Sequence, residues 1–277
     1  MNKTALTLAI IAGTALASGA QAQDRDMSQD FNGPYVGAVG GYSAQSNDSG
    51  ETLVFDTNRD DTYGDPVNTV LGANAFSPGF CGGAATGTGN TDCRNDRDDF
   101  EYGARIGMDR RMGNFVVGVV LEGGRNEATD SVSGFSTTPA SYTLERSQDY
   151  YAQARLRAGY TPGGGILFYA TGGGAWARLD NRFTTTNTAN SFADNGRTNA
   201  WGWSAGGGAE AMLTDNISLG LEYLYTDLKD DDYTVAVGAG TAPATNPFLL
   251  NGGGTNIQRS DPHFRTHGIR ASVNLRF

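Results

Sequence analysis

The chain has 277 residues, a formal net charge of −10, 40 glycines, 8 prolines and two cysteines. Hydrophobic residues make up 38% of the chain and aromatic residues 10%, a composition that excludes an intrinsically disordered protein. No apolar run reaches the roughly 18 residues that a spanning helix needs, so the sequence does not predict a helical membrane protein.

The first predicted element is a signal peptide over residues 1–22. Lys3 is followed by the apolar run ALTLAIIAGTALA at 5–17, and Ala20 and Ala22 then provide an Ala-x-Ala cleavage site. The apolar run is too short to span a membrane. A buried N-terminal helix is the alternative interpretation of the same residues.

Eight segments of about ten residues follow, and they alternate large or apolar residues with small or polar ones. In 217–225, for example, Leu219, Leu221 and Tyr223 alternate with glycine, glutamate and leucine. This period of two predicts β-strands, and about 9–11 residues suffice for a tilted strand to cross a membrane. The segments are 35–43, 100–109, 115–123, 150–160, 166–176, 203–213, 217–225 and 267–277.

The spacers between these segments alternate strictly between long and short. The long spacers are 44–99, 124–149, 177–200 and 226–265, and the short ones are 110–113, 161–165 and 214–216. Tight periplasmic turns and large external loops produce this order in outer-membrane proteins, whereas a soluble β-sandwich has no reason to keep it. We therefore predict an all-β fold for residues 23–277, an eight-stranded antiparallel up-and-down transmembrane β-barrel with four long external loops.

The first long spacer contains both cysteines and many acidic residues. Cys81 and Cys93 lie twelve positions apart, and in an oxidising compartment we expect one disulfide, contributing on the order of 3 kcal/mol. We interpret the acidic residues as a solvated face, with weak binding of Ca²⁺ or Mg²⁺ as the alternative. Within 44–98 they are Asp48, Glu51, Asp56, Asp60, Asp61, Asp65, Asp92, Asp96 and Asp98.

Charged residues recur at the positions that alternate with the apolar ones, where they would face the barrel interior. Eight strands enclose only enough room for side chains, so we predict that four glutamates and four arginines pair into an ion network that fills the barrel. A narrow or gated polar pore is the alternative. The residues are Glu101, Arg105, Glu122, Arg155, Arg157, Glu210, Glu222 and Arg270.

The two histidines do not predict a metal site or a catalytic site. His263 and His267 lie four positions apart near the start of a strand, so they do not share a helix face as zinc ligands do in helical motifs. Some eight-stranded barrels modify lipid A with a His/Ser pair at the lipid-facing rim, and His267 is predicted to face lipid. No serine partner can be assigned to it, and we expect no enzymatic activity, no cofactor and no metal.

The sequence resembles the small OmpA-like β-barrel proteins of the outer membrane, the group that includes the alphaproteobacterial 25- and 31-kDa surface antigens and the opacity proteins. Together the similar stretches cover most of the chain outside the loops, and LEYLYTDL before a long loop is the most specific of them. The stretches are PYVGAVGGYS at 34–43, LFYATGGGAWAR at 167–178, WSAGGGAEAML at 203–213, LGLEYLYTDL at 219–228 and IRASVNLRF at 269–277.

The resemblance implies a location in the outer membrane of a Gram-negative bacterium and a role for the last residue. In that family a terminal aromatic residue, here Phe277, is the assembly signal read by the barrel-assembly machinery. The long first spacer with its cysteine pair departs from the family, and we expect no periplasmic peptidoglycan-binding domain.

We expect a structural barrel that supports envelope integrity and displays surface loops. A small-solute porin and an adhesin or immune-interaction protein are the alternatives. The expected partners are outer-membrane lipid, lipopolysaccharide, the assembly machinery and host-surface molecules at the loops, but not nucleic acid.

Overall fold

The computed structural model describes residues 30–45, 50–83 and 92–277. The predicted signal peptide at 1–22 lies outside the described residues. Within the described part of the chain, no helix is long and apolar enough to cross a membrane. The strands, in chain order, are β1 Gly33–Gln45, β2 Leu53–Asp56, β3 Asp99–Met112, β4 Phe115–Ser136, β5 Ala140–Tyr160, β6 Ile166–Thr185, β7 Ser191–Asp194, β8 Arg197–Met212, β9 Ile217–Lys229, β10 Val235–Gly238, β11 Thr255–Arg259 and β12 His263–Arg276, with a 3₁₀ turn at Pro247–Leu249.

Eight of these strands close into a barrel in the order β1, β12, β9, β8, β6, β5, β4, β3. Every neighbouring pair is antiparallel, and β1 completes the ring by pairing with both β12 and β3. Closure leaves no open sheet edge, which a hydrocarbon layer requires because it offers no water to unpaired peptide groups. The predicted all-β, eight-stranded antiparallel barrel is confirmed.

The pairing register separates an apolar outer face from a charged inner face. Glu222 of β9 lies directly opposite Arg270 of β12, and both side chains are buried. Their neighbours Leu221, Ile269 and Val273 are 61%, 64% and 53% exposed. Alternation along a strand sends successive side chains to opposite faces, so the exposed set forms the surface that contacts lipid.

The second long spacer, 124–149, is not a loop. Strands β4 and β5 are 22 and 21 residues long, about twice what is needed to cross a membrane. Their hairpin continues through the spacer and turns only between Ser136 and Ala140. Irregular pairing near Asn126 and Gln148 marks β-bulges. Because bulges bend strands, they divide β4 and β5 into a part that crosses the membrane and a part that lies outside it.

The external segments fold into a compact unit, which we call the cap. Its sheet has the order β2, β11, β10, β7 and takes strands from three of the four long spacers. Cys81 and Cys93 form a disulfide with their Cα atoms 4.5 Å apart, as predicted, and both pack against the cap core. That core consists of Leu53, Phe55, Val67, Ala75, Phe76, Val132, Ala140, Tyr142, Leu144, Tyr233, Val235, Val237, Phe248 and Ile257.

Candidate functional site

Small residues on the inner face give long side chains the room to cross the barrel. A Cβ atom added at Gly107 would overlap the ring of Tyr35, and one added at Gly268 would overlap the carboxylate of Glu101. Glycine at these positions therefore lets a side chain from another strand lie flat across the lumen. The barrel interior, with its charged residues, is the candidate functional site.

A middle layer of three acids and three arginines occupies the lumen. Glu122 is its hub: its carboxylate lies 3.2 Å from Arg105 Nη2, 2.9 Å from Arg155 Nη2 and 2.5 Å from Arg270 Nη1. Arg155 and Arg270 also pair with Glu222. All members are buried, and the layer is electrically neutral. It consists of Glu101, Arg105, Glu122, Arg155, Glu222 and Arg270.

A second neutral layer lies nearer the short turns. Arg157 bridges Asp109 and Glu210, with both nitrogen–oxygen distances 2.7 Å. Arg276 bridges the same two carboxylates at 3.0 and 2.6 Å. Two acids and two arginines thus form a closed square of ion pairs. The guanidinium of Arg276 also lies 5.0 Å from the ring centroid of Phe31, which covers this end of the lumen.

The structure therefore places all eight predicted interior residues inside the barrel, in two separate layers. It adds Asp109 and Arg276, which sequence reasoning missed. Both continue the inward alternation of residues already identified, Asp109 after Arg105 on β3 and Arg276 after Arg270 on β12. Extending that alternation to the strand ends would have found them.

A third layer, of two acids and two arginines, lies at the external mouth beneath the cap. Arg259 of β11 donates two hydrogen bonds to the carboxylate of Asp130, each 3.0 Å long, and pairs with Glu51 at 3.0 Å. Arg146 donates to Asp130 at 2.8 Å and to the carbonyl oxygen of Pro262 at 3.1 Å. These contacts join the first, second and fourth long spacers and fasten the cap to the barrel.

Burial sets the ionisation of the acids in this third layer. Burial raises the pKa of Glu51 to about 7, against the opposing effect of Arg259. Asp130 is also buried, but Arg259 and Arg146 together lower the pKa of this carboxyl below its usual value. Two further charged groups face Glu51: Arg146 lowers the pKa of its carboxyl, and Asp261 raises it. Glu51 is therefore the group of this layer that titrates near neutral pH.

We expect the cap to lose stability as the pH rises through the window from 4.5 to about 7. In that window the folded chain keeps a proton on Glu51 that the unfolded chain has released, so unfolding becomes easier as the pH rises. The loss should be on the order of 3 kcal/mol. Hydrogen exchange of residues 50–83, corrected for intrinsic exchange rates, measures it.

Glu51→Gln should flatten this pH dependence. Glu145→Gln is the matched control, because the Glu145 carboxylate pairs with exposed Arg94 at 2.7 Å and lies outside the third layer. An equal slope against pH in the two variants would contradict the assignment to Glu51.

Two clusters of buried apolar residues also lie in the barrel interior. One cluster lies between the middle layer and the external mouth and includes Tyr151, Leu179, Leu228 and Phe264. Another, at the end with the short turns, consists of Phe31, Val116, Leu167 and Tyr169. From the external mouth inward, the order is thus the third charged layer, an apolar cluster, the middle and second charged layers, and the apolar cluster at the short turns.

The two histidines lie apart from this interior. His267 Nδ1 lies 2.7 Å from the hydroxyl of Tyr223 on the outer face. His263 Nδ1 lies 2.6 Å from Asp227 Oδ1, and Arg265 pairs with the same aspartate at 3.5 Å. In the described part of the chain, neither imidazole hydrogen-bonds a serine.

The acidic first spacer is only partly the solvated face that its composition predicts. Glu51 and Asp56 are buried, and Asp56 accepts hydrogen bonds from the backbone N–H groups of Asp60 and Asp61, each 3.1 Å long. Among residues 30–45, 50–83 and 92–277, no group of three or more acidic, histidine or cysteine side chains has the arrangement of a metal site.

Comparison with known proteins places this architecture in a family. Residues 8–277 match the family model of the outer membrane protein beta-barrel domain. The chain belongs to this family. Its location is therefore the outer membrane of a Gram-negative bacterium, and the predicted relationship to the surface antigens is confirmed by the relatives described next.

Two curated relatives of this outer-membrane barrel carry surface-antigen or outer-membrane names. The 31 kDa outer-membrane immunogenic protein of Brucella melitensis is 31% identical over 132 residues, which is 47% of this chain and 54% of the relative. The 22 kDa outer membrane protein of Rhizobium leguminosarum is 30% identical over 61% of this chain and 72% of the relative. This chain thus spans about half the length of the Brucella protein that it matches.

A solved outer-membrane barrel is also similar. OprG of Pseudomonas aeruginosa has a TM-score of 0.46 and 12% sequence identity, with 91% of this chain and 100% of that chain covered.

Proposed function

We propose that this protein is a structural barrel of the outer membrane that supports envelope integrity and carries an ordered external cap. The observation that supports this most is the filled interior. Two neutral layers of ion pairs and two apolar clusters occupy the lumen, and a third layer of ion pairs fastens the cap over the external mouth. A barrel packed in this way is a stiff membrane element rather than a conduit.

Deletion of the gene tests the structural function. We expect the deletion strain to become sensitive to detergent and to chelators of divalent cations, and a plasmid copy to restore resistance. Unchanged sensitivity to both would contradict the proposal.

The small-solute porin is the competing function, and planar-bilayer recording separates the two. We expect no channel events from purified wild-type protein, because a solute would have to displace buried ion pairs such as Arg270–Glu122. Stepwise conductance at moderate voltage, together with lost solute uptake in the deletion strain, would favour the porin.

A second candidate function is interaction with host surfaces through the cap. The tip of the first spacer exposes Val70 and Leu71, which are 58% and 92% exposed, and relatives are named immunogenic proteins. Loss of host-cell binding in a strain whose protein lacks only this tip would support the adhesin function. That function is compatible with the structural one.

The remaining partners are also proposals. Phe277 is 68% exposed at the end of β12, on the face that contacts lipid, a position that suits recognition by the barrel-assembly machinery. The family consists mainly of barrels without enzymatic activity, and we propose the same for this protein. Altered lipid A masses in a His267→Ala strain would argue for an enzyme instead.

A further inference from the structure

A groove of about 670 Å³ crosses the outer face of strands β3 to β8. Its volume lies within the range of about 300–1,000 Å³ that is common for small-molecule sites. Its floor is made of small residues. They lie in two adjacent rows, where a row is a set of residues that pair with one another across successive strands. These floor residues are Ala104, Gly123, Ala152, Ala154 and Gly174.

Large apolar side chains bound the groove at both ends. Ile106 and Leu121 lie at the β3–β4 end, and Trp176 and Trp201 lie at the β6–β8 end with ring centroids 6.4 Å apart. Trp203 lies two residues after Trp201 on the same outer face of β8, opposite Gly174. All three tryptophans of the chain therefore lie at the β6–β8 end of the groove. Tryptophan favours the boundary between hydrocarbon and headgroups, which places the upper end of the groove at headgroup depth.

The row of cross-strand neighbours directly above the groove, on the side of the cap, contains two arginines, Arg125 and Arg178. Arg178 is the residue after Trp176 on the outer face of β6; it is exposed and has no acidic partner among the described residues. Arg125 lies 4.4 Å above the ring of Tyr150, which is the cross-strand neighbour of Arg178. Two guanidinium groups therefore flank one tyrosine directly above the groove.

The carboxylates near this row leave Arg178 uncompensated. Asp149 pairs with Arg125 at 3.1 Å and Asp180 with Arg197 at 3.6 Å. Glu127 lies on β4, where it accepts a hydrogen bond from the hydroxyl of Tyr102 at 3.4 Å. Among the described residues, Arg178 is thus the arginine of this row that has no carboxylate partner and can accept one from a ligand, while Glu127 is held by the Tyr102 hydroxyl.

We propose that this groove binds a phosphorylated lipid of the outer leaflet. The phosphate lies on Arg178 with Arg125 beside it, and an acyl chain lies in the groove between the aliphatic and tryptophan ends. A guanidinium matches phosphate geometry through paired hydrogen bonds, and its charge attracts anionic headgroups at the membrane surface. The site deepens the proposed structural function, on which it rests, by coupling the barrel to the lipid that it stabilises.

The three tryptophans report on this site without a label on the protein. Protein is reconstituted in phosphatidylcholine vesicles that contain a minor fraction of bromine-labelled phosphatidic acid or, for comparison, the same fraction of bromine-labelled phosphatidylcholine. Bromine quenches a tryptophan that it contacts. We expect phosphatidic acid to be enriched at the groove about fivefold over phosphatidylcholine, the preference that one arginine supplies at an anionic surface.

Two variants and their controls test the two halves of the site. Arg178→Gln should abolish the preference, whereas Arg110→Gln, an exposed arginine at the opposite end of β3, should keep it. Gly174→Leu should reduce quenching by both lipids, because a Cβ there meets open space and its side chain fills the groove. Ala271→Leu, on the lipid face of β12, should change nothing.

Three results would overturn the proposal. They are equal quenching by the two labelled lipids, a preference that survives Arg178→Gln, and quenching by neither lipid in a protein that is dimeric, since a second copy would then cover the groove. The vesicle assay measures lipid preference alone, so its failure leaves the deletion phenotype of the structural function untouched.

Discussion

Glu122→Gln is expected to destabilise the folded barrel by about 3–5 kcal/mol, the cost of leaving buried charges without a partner. Glu122 neutralises three arginines at once, with contacts of 2.5–3.2 Å to Arg105, Arg155 and Arg270. Removing its charge leaves three buried guanidinium groups to share two carboxylates. A folded barrel migrates differently on a gel before and after boiling, and the temperature at which the folded band disappears should fall markedly.

Two further variants show whether charge balance is the cause. Glu127→Gln removes an exposed carboxylate from the same strand and should leave the transition temperature unchanged. The double variant Glu122→Gln, Arg105→Gln restores neutrality and should recover part of the loss, because Arg105 pairs only with Glu122 and, at 3.8 Å, with Glu222 among the described residues. Equal transition temperatures for Glu122→Gln and Glu127→Gln would contradict the hub role.

Phe248→Ala is expected to unfold the cap while the barrel stays folded. The Phe248 ring is buried, with centroids 5.6 Å from Tyr142 and 5.9 Å from Phe76. Removing a buried phenyl ring costs about 3–5 kcal/mol, which is a large part of the stability of a unit as small as the cap. Protease cleavage within residues 50–83 should accelerate sharply, and the gel shift of the barrel should persist.

Leu71→Ala is the matched control for this prediction. Leu71 belongs to the same external unit but is 92% exposed, so its truncation removes almost no buried surface and should leave protease cleavage unchanged. If Phe248→Ala instead lowered the transition temperature of the barrel by as much as Glu122→Gln does, the cap and the barrel would be one cooperative unit.

The membrane part of the fold could be predicted from the sequence because two physical constraints act on it at every position. Hydrocarbon on one face and a crowded lumen on the other force strict alternation, so Leu221 and Glu222 are assigned to opposite faces from the sequence alone. The same constraint makes the spacing of the strands regular. The charged residues of the interior network could be predicted too, because each of them occupies a position that alternates with the apolar, lipid-facing ones.

The cap could not be predicted in this way. Its strands β2, β7 and β10 are four residues long, too short for a period of two to stand out. They pair with segments far away in the chain, as Phe55 pairs with Ile257, and such pairing has no local signal. The third charged layer could not be predicted for the same reason, because Glu51 and Arg259 are far apart in the chain and meet only once the cap has folded.

The balanced interior also determines where the excess charge of the molecule resides. Each of the three layers holds equal numbers of acids and arginines, so the whole formal charge of −10 belongs to residues outside them, many of which lie in the external segments. A fixed anionic shell of this kind concentrates small cations and cationic peptides near it through long-range attraction that salt weakens. Cells that display many copies should therefore accumulate positively charged antimicrobial peptides at these caps, away from the bilayer itself.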